Sequence, residues 1–346
     1  MRPGLKRSMA AVVVDLGGTY LRCGVTSAKH EIQGVRRIRV PNFLDGGTPE
    51  ATWDAVVAEI AGYAAAAGTL IAPDDPIVFA FPGPIRDRSA ILAAPTVVGR
   101  EASIPDIAAD LCARTGRRVV LLNDVSAAAW YLSERFEVNR FMVVTVSSGI
   151  GSKIFDRKHP ACVLDDVAYG GEIGHAQVDR SPSALVCDCG GRGHLGAIAS
   201  GRGTERLARR DARDAPARFA ASSVASTFGA TAETLTNESH LVPAARDGDP
   251  WALAIIREAA APLATVISAV VHAAGLEKVI IIGGFAVALG PVYLECLQAG
   301  LRALDGPGPA SVAVDQLVVL GDADSDTCLR GAAVFADRTR ASGSDL

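Results

Sequence analysis

The chain has 346 residues, 49% of them hydrophobic and 21% charged, with a formal net charge of -4. That much apolar surface excludes general disorder, and the acidic balance excludes the strongly basic face of a duplex-binding protein. At roughly 100–200 residues per domain the length predicts two domains. Seven Cys are too few for a disulfide scaffold and odd in number, which predicts reduced thiols in a cytoplasmic protein.

Val12 to Val14 reads as a buried strand running into Asp15-Leu16-Gly17-Gly18-Thr19, with Leu21 to Thr26 as its hairpin partner. Trp53 to Ala66 has helical spacing. Ile77 to Phe81 is a short apolar strand closed by Pro82-Gly83-Pro84. Val119 to Leu122 is a third strand, ending in Asn123-Asp124, and Val125 to Phe136 follows as a helix. Phe141 to Val146 leads into Ser147-Ser148-Gly149, so both halves begin with a strand and a short Gly- or Ser-rich turn. Arg210 to Asp249 is Ala-, Ser- and Thr-rich and reads equally as helix or loop. Ala259 to Leu276 carries no charge, but Pro262, Thr265, Ser268 and His272 make it a buried helix rather than a membrane span. Val279 to Ile282 is a last strand before Gly283-Gly284. Strands alternating with helices predict an α/β fold.

Five patterns carry chemistry. In the first, Gly17 and Gly18 let the backbone turn tightly against an anion, Thr19 offers a hydroxyl, and Asp15 can hold a hydrated Mg²⁺ that bridges to phosphate; an ordinary hairpin turn has the same residues. The second, Ser147-Ser148-Gly149, forms an N–H nest for anions, and the third, Gly283-Gly284, lets a flat nucleoside lie on the backbone. The fourth places Asp124 at the end of a core strand, where it is either a proton acceptor or the cap of the next helix, with Asn123 beside it. The fifth is the most specific: Gly171-Glu172-Ile173-Gly174-His175, then Cys187-Asp188-Cys189 and His194. His175, Cys187, Cys189 and His194 are the right donors for one structural Zn²⁺. The remaining Cys read as buried thiols, and His30, His159, His240 and His272 as surface or core residues without partners.

In this order and spacing the five patterns resemble the ROK family of sugar kinases and sugar-responsive repressors, from Val12 to about Ala336. Phe81-Pro82-Gly83-Pro84 resembles a family turn near the sugar, Gly248-Asp249-Pro250 a helix start, and Gly321-Asp322 with Gly331-Ala332-Ala333 the C-terminal helix. The resemblance implies a two-lobed actin-like ATPase (ribonuclease H-like) α/β fold with a cleft between lobes. Its small lobe would span 10–124 plus 325–340, its large lobe 125–324, with a zinc segment at 171–196. It further implies Mg·ATP as phosphoryl donor and Asp124 as base for a primary hydroxyl. Gly83, Asn123, Glu172 and His175 would lie at the sugar, Asp15, Gly17, Gly18, Thr19, Ser148 and Gly149 around the phosphates, and Gly283 and Gly284 by the nucleoside. A cytoplasmic homodimer or homotetramer is expected, with a sugar or cyclitol as its partner and neither nucleic acid nor membrane.

Three departures from the family pattern stand out. His194 replaces a zinc Cys, Ser147-Ser148 replaces Gly-Thr, and Gly196 stands where the family has a Glu that binds the anomeric side of the sugar. The lost carboxylate favours a modified hexose, an amino sugar or a C7-cyclitol of a secondary-metabolite pathway, over glucose. Plain glucokinase and a non-catalytic sugar sensor are the alternatives; only about eleven residues precede the first strand, which leaves little room for a repressor's DNA-binding segment.

Overall fold

Short apolar runs, most of them buried on both faces, build two separate sheets. The computed structural model describes residues 10–17, 20–26, 30–40, 46–68, 70–94, 97–99, 102–165, 167, 169–304, 313–321 and 326–341. They fall into two compact units, the first within Met1–Glu137, Val163–Gly170 and Asp324–Leu346, the second within Val138–Cys162 and Gly171–Ala323.

The sheet of the first unit has the order β3-β2-β1-β4-β7, from β1 (Ala11–Leu16), β2 (Tyr20–Thr26), β3 (Ile32–Arg39), β4 (Ile77–Phe81) and β7 (Val119–Asn123). A small hairpin of β5 (Ile85–Arg86) and β6 (Ala90–Ile91) follows β4. β1 pairs antiparallel with β2 and parallel with β4, and β4 parallel with β7. Every residue of β1 is buried, as a strand covered on both faces requires. Val12 and Val14 join Trp53, Val56 and Ile60 of α1 (Pro49–Ala66) in one core cluster. α1 starts where Thr48 accepts from the Ala51 N–H and Pro49 fits the first turn. α2 (Ile107–Thr115) covers the same cluster and ends at Gly116. α3 (Asp124–Ser133) packs on α13 (Thr327–Ala341) so closely that a Cβ on Gly331 would lie 1.7 Å from the Ala127 carbonyl oxygen. Through this packing α3 belongs with the first unit, whose first segment runs to Glu137.

The second sheet has the order β11-β10-β8-β9, from β8 (Arg140–Val146), β9 (Ile150–Asp156), β10 (Lys278–Ile282) and β11 (Val318–Leu320). β8 pairs antiparallel with β9 and parallel with β10, and β10 parallel with β11. The turn between β8 and β9 is followed, further along the chain, by α4 (Leu195–Ala199) and α5 (Gly201–Asp214). The stretch that reads as helix or loop resolves into the end of α5, α6 (Pro216–Ala220), α7 (Ser223–Ser226), a π-helical turn at Asn237–Leu241 and α8 (Val242–Arg246). α9 (Pro250–Ala274) is long and apolar enough to cross a membrane, yet Ile255, Ile256, Ala259, Leu263 and Ile267 sit in the main core cluster, which makes it the core helix the sequence predicts. Asp249 caps it through the Ala252 N–H at 2.7 Å and also accepts from Ser223, tying α7 to its start. α10 (Gly284–Leu289), α11 (Pro291–Arg302) and α12 (Val314–Leu317) complete the unit.

Candidate functional site

At the end of β1 in the first unit, Asp15 is 3% exposed and its carboxylate accepts from Arg22 Nη1 at 2.6 Å. The register dictates this, because Asp15 and Arg22 are directly opposite across the β1–β2 pair. Arg22 also lies 3.7 Å from Asp326. Burial pushes the Asp15 carboxyl up to about 6, while the Arg22 charge works against the rise. Gly17 closes the turn by donating to the Tyr20 carbonyl at 2.9 Å; Gly18 and Thr19 lie outside the described residues.

Asn123 and Asp124 occupy the end of β7 and the first turn of α3. The cap is Asn123, whose side-chain oxygen accepts from the Val125 and Ser126 N–H groups, as a short amide at this position does well. Its amide also donates to the Gly83 carbonyl at 2.9 Å, fastening the turn after β4. Asp124 therefore is not the cap; it stands one residue further on, half-buried, with Val125 N–H 2.8 Å from Oδ1. Desolvation, with the charges of Asp15 and Asp124 nearby, pushes the Cys328 thiol well up. Cys328, Arg22 and Asp326 thus join the carboxylates that the sequence singles out.

In the second unit the Gly171–His175 segment lies on β9. Gly171 has φ +85°, and a Cβ there would collide with the Ser152 carbonyl oxygen at 1.8 Å; its own carbonyl accepts from the Ser152 N–H. This contact sets Glu172 and His175 side by side, with His175 Nε2 3.9 Å from Glu172 Oε2. Burial pushes the Glu172 carboxyl up, and the ammonium of the buried Lys153 and the His175 ring hold it back. Lys153 has no signal in the sequence, since a lysine in a strand reads as exposed.

Two short antiparallel contacts, Gln177 with His194 and Val186 with Arg192, fold the Cys187–His194 segment back against His175. The donor atoms of His175, Cys187, Cys189 and His194 all lie within 4.8 Å of one another, and Cys189 Sγ is 3.1 Å from His194 Nδ1. Two thiols and two imidazoles at that spread fit one tetrahedral ion. The other Cys divide: Cys23 and Cys296 are buried, whereas Cys112 is exposed on α2, against expectation. His30 is not partnerless either, since it pairs with Asp337 at 2.8 Å.

A cavity of about 780 Å³ opens within the second unit, lined by Ser147, Ser148 and Gly284 together with Arg202, Asn237, Arg246 and Phe285. The Ser147 carbonyl accepts from the Gly201 N–H at 2.7 Å, joining the turn after β8 to the start of α5. Gly149 stands exposed next to Ser148 in that turn, and Gly283 precedes α10 with φ +99°. The wall supplied by residues 237–247 comes from the stretch whose structure the sequence leaves open. Gly196, the second residue of α4, has no left-handed φ, and a Cβ there would point at the Gly174 carbonyl oxygen from 3.2 Å. Glu205 does not stand in for the missing carboxylate: it accepts from the Asn237 N–H and pairs with Arg209.

Sheet order and glycine turns define a member of the actin-like ATPase folds, one that carries a Cys/His cluster with the donors a metal ion needs. The ROK family model matches residues 11–338, and the chain belongs to the ROK family. It is 39% identical to the C(7)-cyclitol 7-kinase of Streptomyces hygroscopicus subsp. jinggangensis, over 92% of each chain. A ROK family glucokinase from Streptomyces griseus, solved with glucose and AMPPNP, has the same two-lobed fold, with a TM-score of 0.70 over 95% of this chain and 99% of that one, at 24% identity. The ROK hexokinase of Thermus thermophilus superposes with a TM-score of 0.68 over 97% of this chain and 100% of that one, at 25% identity.

Proposed function

We propose that this sugar kinase moves the γ-phosphoryl group of Mg·ATP to the primary hydroxyl of a C7-cyclitol or closely related modified hexose. The observation that carries the choice of acceptor is Gly196, which supplies no carboxylate where a Cβ would face the Gly174 carbonyl oxygen from 3.2 Å. The 39% identity to a C(7)-cyclitol 7-kinase supports the same choice. A carboxylate hydrogen-bonded to a sugar hydroxyl contributes about 1.5–3 kcal/mol, so its loss disfavours glucose by roughly 10- to 150-fold.

In this reading Asp124 takes the proton of the attacking hydroxyl. An ionised carboxylate within hydrogen-bond reach is enough, since phosphoryl transfer depends on positioning and charge neutralisation more than on covalent chemistry. Asn123 holds the strand end, the Gly83 turn and the helix start together, so that Asp124 is presented from a rigid corner. Glu172 and His175 take ring hydroxyls. Asp15 would hold hydrated Mg²⁺, which supplies charge neutralisation at the phosphates, beside the residues of the Gly17 turn. Ser148, Gly149, Gly283 and Gly284 would receive the nucleotide at the second unit's cavity. His175, Cys187, Cys189 and His194 would hold a structural Zn²⁺ that stiffens the acceptor segment. The enzyme is read as cytoplasmic.

The test is kcat/KM for glucose, mannose, 3-amino-glucose and a C7-cyclitol. A cyclitol preference of tenfold or more over glucose is expected. A preference for glucose sinks the acceptor assignment and leaves a glucokinase. Gly196→Glu then reports on the cause. With no left-handed φ the backbone accepts the change, provided the Gly174 carbonyl gives by a few tenths of an ångström, and glucose should gain on the cyclitol. Metal analysis tests the cluster: about one zinc per chain in the purified protein, falling sharply in Cys189→Ser.

A further inference from the structure

Asp188 stands between the two clustered thiols, and its carboxylate turns away from them toward α5. Oδ1 accepts from Arg206 Nη2 at 2.6 Å and Oδ2 from Arg202 Nη1 at 3.1 Å. The two arginines are four residues apart and share one face of the helix. Arg206 also donates to the Val186 carbonyl at 2.9 Å, so it is fixed to the Cys loop at two points. Arg202 is the member that reaches elsewhere, for it lines the cavity alongside Ser147, Ser148 and Gly284. The start of α5 is itself tied to that wall through the Gly201 N–H and the Ser147 carbonyl. A covalent route also runs from His194, which precedes α4, through Ser200 to α5.

From this chain of contacts we infer that Arg202 binds a phosphate of the nucleotide and that Asp188 is its positioning residue, so that the Cys/His loop sets nucleotide affinity as well as the shape of the acceptor segment. The inference rests on reading the second unit's cavity as the nucleotide site. A guanidinium free to rotate would spend much of its time in solvent, because arginine side chains carry about 2 kcal/mol of rotamer entropy. Held at one end by Asp188 Oδ2, Arg202 keeps its remaining N–H groups for an anion in the cavity. Arg206 takes the other carboxylate oxygen and stops Asp188 from swinging away. A neutral amide at 188 would lose the charge-assisted bonds to both arginines and release Arg202 while keeping both thiols in the chain.

The experiment is calorimetric titration of the zinc-loaded protein with Mg·AMPPNP, which needs no turnover, with zinc content measured on each sample. Asp188→Asn should weaken nucleotide binding about threefold, and Arg202→Gln about tenfold. The double variant should be no weaker than Arg202→Gln alone, because Asp188 acts only through that arginine. Zinc content and acceptor affinity should stay at wild-type values. Unchanged nucleotide affinity in Asp188→Asn overturns the inference, as do additive effects in the double variant. Loss of zinc from Asp188→Asn together with loss of nucleotide affinity overturns Asp188 as the positioning residue, since the folded loop as a whole, and not its carboxylate, would then hold Arg202. If the wild-type protein does not bind Mg·AMPPNP at all, the cavity's assignment fails, and that result is distinct from the others.

Discussion

The two sheets repeat one plan with opposite chemistry. β2-β1-β4-β7 and β9-β8-β10-β11 have the same order and the same sense, one antiparallel hairpin followed by two parallel additions. Thr145 in the second hairpin occupies the position of Asp15 in the first, one residue before the end of the strand. The first unit ends its strands in charge: Asp15 with Arg22 opposite, and Asp124 after β7. The second ends them in hydroxyls, N–H groups and glycine: Ser147-Ser148-Gly149, Gly283-Gly284 and Gly321. A repeated scaffold thus presents charged strand ends in one copy and hydroxyl, N–H and glycine turns in the other.

That division can be broken at its strongest point by Asp124→Asn. The change preserves size and the first turn of α3 but removes proton acceptance. The expected loss is about 10²–10⁴ in kcat, with acceptor affinity retained; a variant with most of its turnover would reduce Asp124 to a structural role. Next comes Gly283→Ala in the neutral copy. Its φ of +99° and a Cβ 2.6 Å from the backbone N and O of Val146 combine backbone strain with overpacking, about 3–4 kcal/mol of stability by denaturant titration. A fall of less than about 1 kcal/mol would show that the turn after β10 has room to move.

The smallest effect sharpens the contrast between Asp15 and Thr145. The Asp15 carboxyl sits at about 6 in the fold against 3.8 as its ordinary value, so the folded protein holds its proton more tightly than the unfolded chain. This group's contribution to stability is therefore greatest below pH 4 and falls as pH rises through 6, then stays level. Wild type should lose up to about 3 kcal/mol relative to Asp15→Asn between pH 4 and pH 6.5. A flat difference across that range would mean that Arg22 fully offsets the burial.

How far the sequence leads differs between the units for physical reasons. β1, β4, β7, β8 and β10 are short apolar runs ending in Gly, Pro, Ser or Asn, and each is found within a residue or two of its predicted bounds. β3 leaves no such trace, because an edge strand reading Ile-Gln-Gly-Val-Arg-Arg-Ile-Arg is largely exposed. The donor set of the Cys/His cluster is legible because four metal-binding side chains seldom fall at such tight spacing by chance. The sequence offers Asp124 as the cap of α3, and the geometry gives that role to Asn123, one residue earlier. The cavity wall at 237–247 is hidden, since four short helical pieces rich in Ala, Ser and Thr have no common period. Arg22 lies in the predicted hairpin strand, yet its role depends on cross-strand register, which composition does not reveal.

The close seat of Gly331 against Ala127 has a consequence for synthesis. About 200 residues separate the two, and at 5–20 residues per second the ribosome takes roughly 10–40 s to cover them. Throughout that interval the groove on α3 and the β1 face wait for a helix that has not yet been made, while the second unit, nearly continuous in the chain, can already form. Nascent chains should therefore pass through a long-lived half-open species with an exposed Ala- and Val-rich face. Chaperone contact during translation would concentrate there, and a bulky residue at position 331 would turn that pause into a permanent state.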